Sequence, residues 1–357
     1  MTFPNSLNKI TPSKSKDGRV AIVMRTKNRP LLLARAFASV LAQKYQNWHL
    51  YVVNDGGHRD DVEKLITKNE SVFKGRLTVI HHEMSQGMEA ASNSALKRSE
   101  GEFLIVHDDD DSWHPEFLEK TVGFLNDPQN SAFAAVITGV EQINEKIVGE
   151  NIVEMDRTEF KLLDSEIDFS TLLSRNLFQP ISLLIRKSVV SSVGEFNHQL
   201  PVLGDWDFNI RVLMFGDIGT IPERLAYYHV RRSEEESIYV NSVVAEVGSH
   251  HKYNVLYRNS NLRSALNTNP EMLGVVQALG WQIKEIASKL NREFEPLQAQ
   301  VLNLNDQIDL LHARFLRLEE GMADTQYLLR KILAPARWVR NIFRSFRKMF
   351  AKFSKKP

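Results

Sequence analysis

Four consecutive aspartates, Asp108, Asp109, Asp110 and Asp111, are the most chemically loaded stretch of the chain. An apolar run, Phe103-Leu104-Ile105-Val106, leads into them, and Trp113 and Pro115 close them off. A short apolar run of this kind reads as a buried strand, and Pro115 suits the first turn of a following helix. The acids then stand at the carboxyl end of a strand, where open α/β sheets bind ligands. Alternate side chains of an extended segment share a face. Asp108 and Asp110 are therefore expected on one side, Asp109 and Asp111 on the other. Two carboxylates converging on one spot repel by ~4 kcal/mol at an effective dielectric of 20. A divalent cation, Mn²⁺ or Mg²⁺, relieves that cost through hard oxygen ligands. A solvated acidic loop is the other reading, and the apolar anchors on both sides argue against it.

Two more aspartates stand where chemistry is possible. Asp55 lies in Val52-Val53-Asn54-Asp55-Gly56-Gly57, a strand running into a turn that needs glycine. It can accept hydrogen bonds from a nucleobase or ribose, or simply form the turn. Asp205 lies in Gly204-Asp205-Trp206-Asp207-Phe208, at or just before a helix N-terminus. Backbone N–H groups there favour the ionised form, and a carboxylate in a cleft can take a proton from a hydroxyl. A helix cap is the alternative for Asp205. Trp206 fits stacking on a sugar or a place in the core, and Asp207 fits holding the loop.

The elements that position these residues follow from periodicity. Strand-like runs at 19–24, 48–53, 77–80 and 103–106 alternate with helical stretches. In the first helix Leu33, Phe37, Val40 and Leu41 share a face, Pro30 sits in the first turn, and Thr26 or Asn28 supplies the cap. A second helix covers 60–68, and a third opens at Gln86-Gly87 and ends at Gly101. This alternation predicts an α/β fold, a parallel sheet flanked by helices on both faces. Thr26, Asp55, Gln86 and Asp108 then follow successive strands and share one sheet edge. Neither G-x-G-x-x-G nor G-x-x-x-x-G-K-[ST] occurs, which argues against a dinucleotide site or a phosphate-cradling loop. Further on, 131–139 and 176–186 read as strands, 149–170 as a variable loop, and 204–216 as a helix.

With these motifs in order, residues 19–140 resemble the nucleotide-sugar-binding half of family 2 glycosyltransferases of the GT-A fold. The stretches that carry the likeness are 20–30, 52–57, 87–93 and 101–113. Phe178-Gln179-Pro180-Ile181-Ser182, 193–196 and 204–208 resemble the acceptor half. The resemblance implies a mostly parallel GT-A sheet and an inverting transfer from a nucleotide-diphosphate sugar to a glycan hydroxyl. It implies donor contacts from Thr26, Asn28, Arg29, Asp55, Gln86, Gly87, Asn93, Asp108 and Asp109, and metal contacts from Asp110. Asp205 matches the base, and Trp206 and Asp207 fall on the acceptor side. The family's usual Glu-Asp pair is Gly204-Asp205 here. Residues 225–237 resemble its closing loop with the order changed, His229 preceding Arg231, so that His229 is a possible metal ligand and Arg231 or Arg232 a phosphate partner. Two other classes stay open. One is a sugar nucleotidyltransferase, whose glycine-rich loop is missing here. The other is a non-catalytic scaffold, which intact aspartates argue against.

The end of the chain has a different pattern. Ile283, Ala287, Leu290, Phe294, Leu297, Val301, Leu304, Ile308, Leu311, Phe315 and Leu318 keep a four–three spacing that continues to Ile332, the seam of a coiled coil. Pro296 is expected to interrupt this helix and Pro335 to punctuate it. Beyond Pro335, Trp338, Ile342, Phe346, Met349 and Phe353 share a helical face opposite Arg340, Arg344, Arg347, Lys348 and Lys352. Such a helix lies on anionic lipid; so large an aromatic face disfavours nucleic acid. The chain thus divides into a polar, disordered lead (1–18), a GT-A domain (19–265), a helical coiled-coil region (266–333) and a basic amphipathic helix (334–357). Its partners would be a nucleotide-diphosphate sugar, a glycan or lipid-linked glycan, an anionic membrane surface and further copies of itself. It is expected at the cytoplasmic face of a membrane.

Composition sets the outer bounds. With 357 residues, 43% of them hydrophobic, the chain can bury a sizeable core. Lys and Arg (45) balance Asp and Glu (44), so global charge points to no partner. The absence of cysteine excludes disulfides, thiolate metal sites and a cysteine nucleophile, and suits a reducing compartment. The first residues lack the apolar stretch of a secretory signal, and no run reaches the ~20 apolar residues of a membrane span.

Overall fold

The computed structural model describes residues 17–159, 167–231, 239 and 247–353. The chain forms two compact units, Met1–Asn261 and Leu262–Pro357. The polar lead lies almost wholly outside the described residues, as does Arg232.

In the first unit, strands and helices alternate as the periodicity predicts. They run β1 (Val20–Thr26), α1 (Pro30–Leu41), β2 (Trp48–Asp55), α2 (Arg59–Phe73), β3 (Leu77–His82), α3 (Met88–Arg98) and β4 (Phe103–Val106). Then come β5 (Ser112–Trp113), α4 (Phe117–Asn126), β6 (Ala135–Val148), β7 (Asn151–Glu159), α5 (Phe169–Ser174), β8 (Leu183–Arg186), α6 (Lys187–Val193), α7 (Gly204–Phe215) and β9 (Ile218–Val230). One sheet holds all the strands in the order β3-β2-β1-β4-β8-β6-β9-β5, with β7 paired to β6.

The first four strands are parallel, with Ile22 opposite both Leu50 and Ile105. Their apolar runs are continuous because both faces are covered. Ala21 and Val23 pack with Val53, Ala91 and Trp206 on one face. Val20, Ile22 and Met24 pack with Phe37, Leu50 and Phe117 on the other. The chain moves outward from β1 to β3, and α3 then carries it back to place β4 on the other side of β1. The reversal leaves a crevice between the ends of β1 and β4, the place where such sheets take ligands. Past β4 the sheet is mixed. β8 is antiparallel to β4 and β6, and β6 is parallel to β9.

Several local expectations change. The expected loop at 149–170 contains β7, which forms a hairpin with β6 from Val148↔Asn151 onward. Most of β7 is exposed, so its sequence lacks the apolar alternation that marks a half-buried strand. Neither Thr26 nor Asn28 caps α1; its N-cap is Arg29, without a side-chain bond. Pro115 precedes α4, which begins at Phe117.

α8 (Val247–Thr268) closes the first unit and leads into the second, which is chiefly α9 (Leu273–Phe353). The breaks expected at Pro296 and Pro335 are absent. α9 runs through both, each proline forgoing one i→i−4 hydrogen bond. Its seam residues Leu290, Leu297, Leu304 and Leu311 are each about half exposed or more. The side chains of Phe315 and of the aromatic face from Trp338 onward lie outside the described residues. Among the described residues, no helix is long and apolar enough to cross a membrane.

Candidate active site

The four aspartates sit where β4 runs out, but not as an extended segment. Asp111 N–H donates to the Asp108 carbonyl at 3.3 Å, which makes a turn. The expected alternation of faces is therefore lost. Asp108 keeps partial exposure, and Asp109, Asp110 and Asp111 are buried.

Arginines from other elements neutralise the cluster. Arg25, at the end of β1, donates to Asp108 Oδ1 from Nε (2.8 Å) and Nη2 (2.5 Å). Arg29 pairs with Asp109 at 2.5 Å and reaches Asp110 at 3.4 Å. Arg231 places Nη2 2.5 Å from Asp110 Oδ2 and Nη1 2.5 Å from Glu145 Oε1. Arg35 pairs with Glu145 at 2.6 Å and donates to the Asp110 carbonyl. The electrostatics follow from burial and these partners. Burial raises Asp109 to about 7, although Arg29 and the Thr26 hydroxyl favour its ionised form. Burial, with Asp110 and Asp108 beside it, holds Asp111 well above the usual carboxylate range, partly offset by the His229 N–H. Glu145 goes the other way: burial would raise it, but His229 and Arg35 pull it down to about 2.

Asp55 spends both oxygens on its own chain. Oδ1 accepts from His82 Nδ1 (2.8 Å) and Gln86 N–H (2.9 Å), and Oδ2 from the Ser85 hydroxyl (2.7 Å) and Gly87 N–H (3.0 Å). Burial alone would raise its pKa; these four donors outweigh it and hold Asp55 below its ordinary value. The next residue, Gly56, has φ 71°, and a Cβ there would lie 2.3 Å from Ser85 N. Asp55 therefore shapes the turn that presents Gln86, which is exposed. Asn28 does similar work next door, its Oδ1 accepting His58 N–H at 2.8 Å.

Asp205, in the first turn of α7, accepts from Asn176 Nδ2 at 2.7 Å. Burial raises its pKa, while the Trp206 N–H, Asn176 and Arg25 oppose the rise. Asp205 and Asp108 meet through a short chain of side chains. Arg25, already bound to Asp108, points Nη1 at Glu89 Oε2 (3.5 Å), and Glu89 packs on Gly204 beside Asp205.

Other candidates stand elsewhere. Trp206 is 1% exposed, and its indole N–H donates to the Leu172 carbonyl at 2.6 Å, so it is a core residue. Asp207 pairs with Arg211 at 2.8 Å and accepts the Tyr257 hydroxyl at 2.9 Å, which ties α7 to α8. Asn93 bonds both the N–H and the carbonyl of Phe196. His229 has Nε2 2.8 Å from the Ser112 hydroxyl and Nδ1 2.8 Å from Glu145. Contacts thus link Thr26, Arg29, Asp109 and Asp110, and Arg25 with Glu89 links Asp108 to the start of α7 beside Asp205, while Trp206, Asp207 and Asn93 are engaged elsewhere in the fold. Sequence reasoning misses Arg25, Arg35, Glu89, Asn176 and Glu145. Arg25 stands beside Thr26 at the end of a strand, a signal that could have found it. Glu145 is 110 residues from Arg35 and carries no local signal.

Residues 21–194 match the profile described as "Glycosyl transferase family 2". They form a family 2 glycosyltransferase domain. Among relatives, the putative colanic acid biosynthesis glycosyl transferase WcaA of Escherichia coli (strain K12) is 35% identical over 100 residues, 28% of this chain and 35% of that protein. An Escherichia coli protein, UDP-Glc:alpha-D-GlcNAc-diphosphoundecaprenol beta-1,3-glucosyltransferase WfgD, is 31% identical over 170 residues, 46% of this chain and 64% of that protein. An uncharacterized glycosyltransferase of Rickettsia felis is 30% identical over 200 residues, 56% of this chain. The chain spans only 32% of that last protein's length. The solved structure of S. aureus TarS 1-349 in complex with UDP-GlcNAc has a TM-score of 0.50 at 18% identity, covering 62% of each chain. That likeness shows the fold. The family 2 match therefore ends just after α6, and α7 with Asp205 lies beyond the matched residues.

Proposed function

We propose that this chain transfers a sugar from a nucleotide-diphosphate sugar to a hydroxyl of a glycan acceptor, inverting the anomeric centre. The observation that carries the reading is the run of contacts at the carboxyl ends of β1 and β4, where Arg25 holds Asp108 and reaches Glu89, which packs on Gly204 beside Asp205. A relative named for colanic acid biosynthesis and one named as a GlcNAc-diphosphoundecaprenol glucosyltransferase support a lipid-linked glycan.

The acceptor hydroxyl gives its proton to Asp205 as its oxygen bonds to the anomeric carbon, and the bond from that carbon to the diphosphate breaks. Nucleoside diphosphate leaves on the opposite face. Burial raises the proton affinity of Asp205, which suits it to take the proton of the acceptor hydroxyl. Arg25 and Arg29 stand beside Asp108 and suit the diphosphate oxygens. Asp108 and Asp110 would hold a divalent cation, whose preference for hard oxygen ligands their carboxylates suit. His229 does not fit as its ligand, because both ring nitrogens are engaged. Among the described residues no three His, Cys, Asp or Glu groups converge on one point. When bound, the cation would stabilise charge on the leaving diphosphate.

A panel of nucleotide sugars with Mn²⁺ or Mg²⁺ tests the reading. One donor should raise the melting temperature of the full chain and then release nucleoside diphosphate when acceptor is added. Free pyrophosphate as product, or no donor that stabilises or reacts, would overturn it.

α9 supports self-association and a membrane-peripheral site. Leu at 290, 297, 304 and 311 alternates with Phe294, Val301 and Ile308, and an isolated helix cannot bury such a seam. Sedimentation should show an oligomer for the full chain and a monomer for a chain ending at residue 272. Flotation with phosphatidylserine vesicles should be lost on removing residues 337–357. A monomeric full chain, or flotation unaffected by that deletion, would count against these two claims separately.

A further inference from the structure

Gly204 opens α7, and the space its side chain would fill is already taken. A Cβ at residue 204 would lie 2.5 Å from Cγ, Cδ and Oε1 of Glu89. Glu89 reaches there from the first turn of α3. It is 6% exposed. Among the described residues its Oε2 is buried without a hydrogen-bond partner, and Arg25 Nη1 lies 3.5 Å away. A buried carboxylate so poorly satisfied costs stability. An apolar side chain at residue 89 would fill the volume without that cost, so stability does not explain the glutamate.

Its neighbours do. The charged groups facing Glu89 are Arg25 from β1, Asp205 and Asp207 from α7, and Asp108 from the end of β4. Burial raises Glu89 to about 7; Arg25 opposes this, and the three aspartates add to it. Arg25 in turn holds Asp108 by two contacts, at 2.8 and 2.5 Å. The side chains of Glu89 and Arg25 therefore join three element ends, those of β1, α3 and α7, around the proposed reaction centre.

We propose that Glu89 is a positioning residue for transfer: with Arg25 it braces Asp205 against Asp108, and glycine at 204 is what admits it. This rests on Asp205 as the proton acceptor and Asp108 as the donor-side carboxylate. The span between these two groups sets how the acceptor oxygen meets the anomeric carbon. A misplacement of about 1 Å there can cost about 100-fold in rate. A methyl group at residue 204 displaces the Glu89 carboxyl. Loss of the carboxyl leaves Arg25 with Asp108 alone and the first turn of α7 without its support.

The test uses the full chain with its donor, and four variants: Glu89→Gln, Glu89→Ala, Gly204→Ala and the double variant Glu89→Ala/Gly204→Ala. Glu89→Gln keeps the shape and removes the charge. It should lower kcat by about 10-fold, leave the donor Kd within about twofold, and leave the melting temperature equal or higher. A residue that only supports packing would lose activity and melting temperature together. Gly204→Ala should also lower kcat. In the double variant, the methyl at 204 should cost no more than Glu89→Ala alone, because the carboxyl it collides with is gone. Wild-type kcat in Glu89→Gln, or additive losses in the double variant, would overturn the proposal. Failure of the underlying reading is separable, since it would show as an active Asp205→Asn enzyme.

Discussion

Asp205→Asn should lower kcat by about 10²–10⁴-fold, the range that general-base groups contribute, and leave the donor Kd within about twofold. Asparagine keeps the side-chain shape and can still meet the Asn176 amide that now lies 2.7 Å from Asp205. It cannot take a proton. The surroundings of Asp205 favour proton acceptance, since burial raises its proton affinity while the Trp206 N–H, Asn176 and Arg25 limit the rise. Donor contacts assigned to the Asp108 side of the crevice stay in place. The loss should therefore fall on kcat and kcat/KM for the acceptor together, the signature of an interaction made in the transition state. The check is steady-state kinetics with varied acceptor beside calorimetric titration of donor. Full activity in Asp205→Asn would remove the proposed base.

Arg29→Ala should destabilise the protein by about 1–2 kcal/mol at pH 8, because Asp109 takes up a proton when its partner is gone and the loss is limited by the interval between the pH and its folded pKa. Asp109 is 0% exposed and depends on Arg29, 2.5 Å away. The cost should depend on pH, with a definite sign. Asp109 titrates near 7 in the fold, above the ordinary value of 3.8 for a free aspartate. A raised folded-state pKa means the folded protein binds this proton more tightly, so its stability contribution is complete below about pH 4 and is lost as pH rises through about 7. Without Arg29 the folded pKa rises further and the loss continues to higher pH. Urea unfolding should therefore show wild type and Arg29→Ala close together near pH 4 and far apart at pH 8. A gap of equal size at both values would mean that Arg29 acts through packing, not charge.

Asp205 is singled out by its type and position at a helix start, and Arg29 by the family resemblance. Asp108 to Asp111 are legible because an apolar strand runs into them, and Asp205 because a glycine and an aromatic frame a helix start. The roles within the run are not legible. Alternation assumes an extended chain, but the turn closed by Asp111 N–H and the Asp108 carbonyl buries three of the four acids. Type and position leave Asp55 either a turn-former or a contact for nucleobase or ribose, and the fold surrounds it with His82, Ser85, Gln86 and Gly87. Trp206 has two open readings in sequence, and the bond to Leu172 places it in the core. β7 escapes notice because an exposed strand leaves little hydrophobic pattern.

The sequence by itself determined the alternating α/β order, the acids at the strand ends, and the heptad seam at the end of the chain. These follow from local periodicity and from which residue types tolerate turns. Only the tertiary structure decided what neutralises the acids. Arg25, Arg35 and Glu145 come from β1, α1 and β6, Arg231 from just past β9, and their pairings span up to 121 residues of sequence. Ion pairing in a buried cluster depends on which guanidinium lies within a few ångströms, and no local pattern encodes that distance. The same holds for Glu89 and Gly204. One reads as a helix acid and the other as a missing side chain, until the ends of α3 and α7 bring them together.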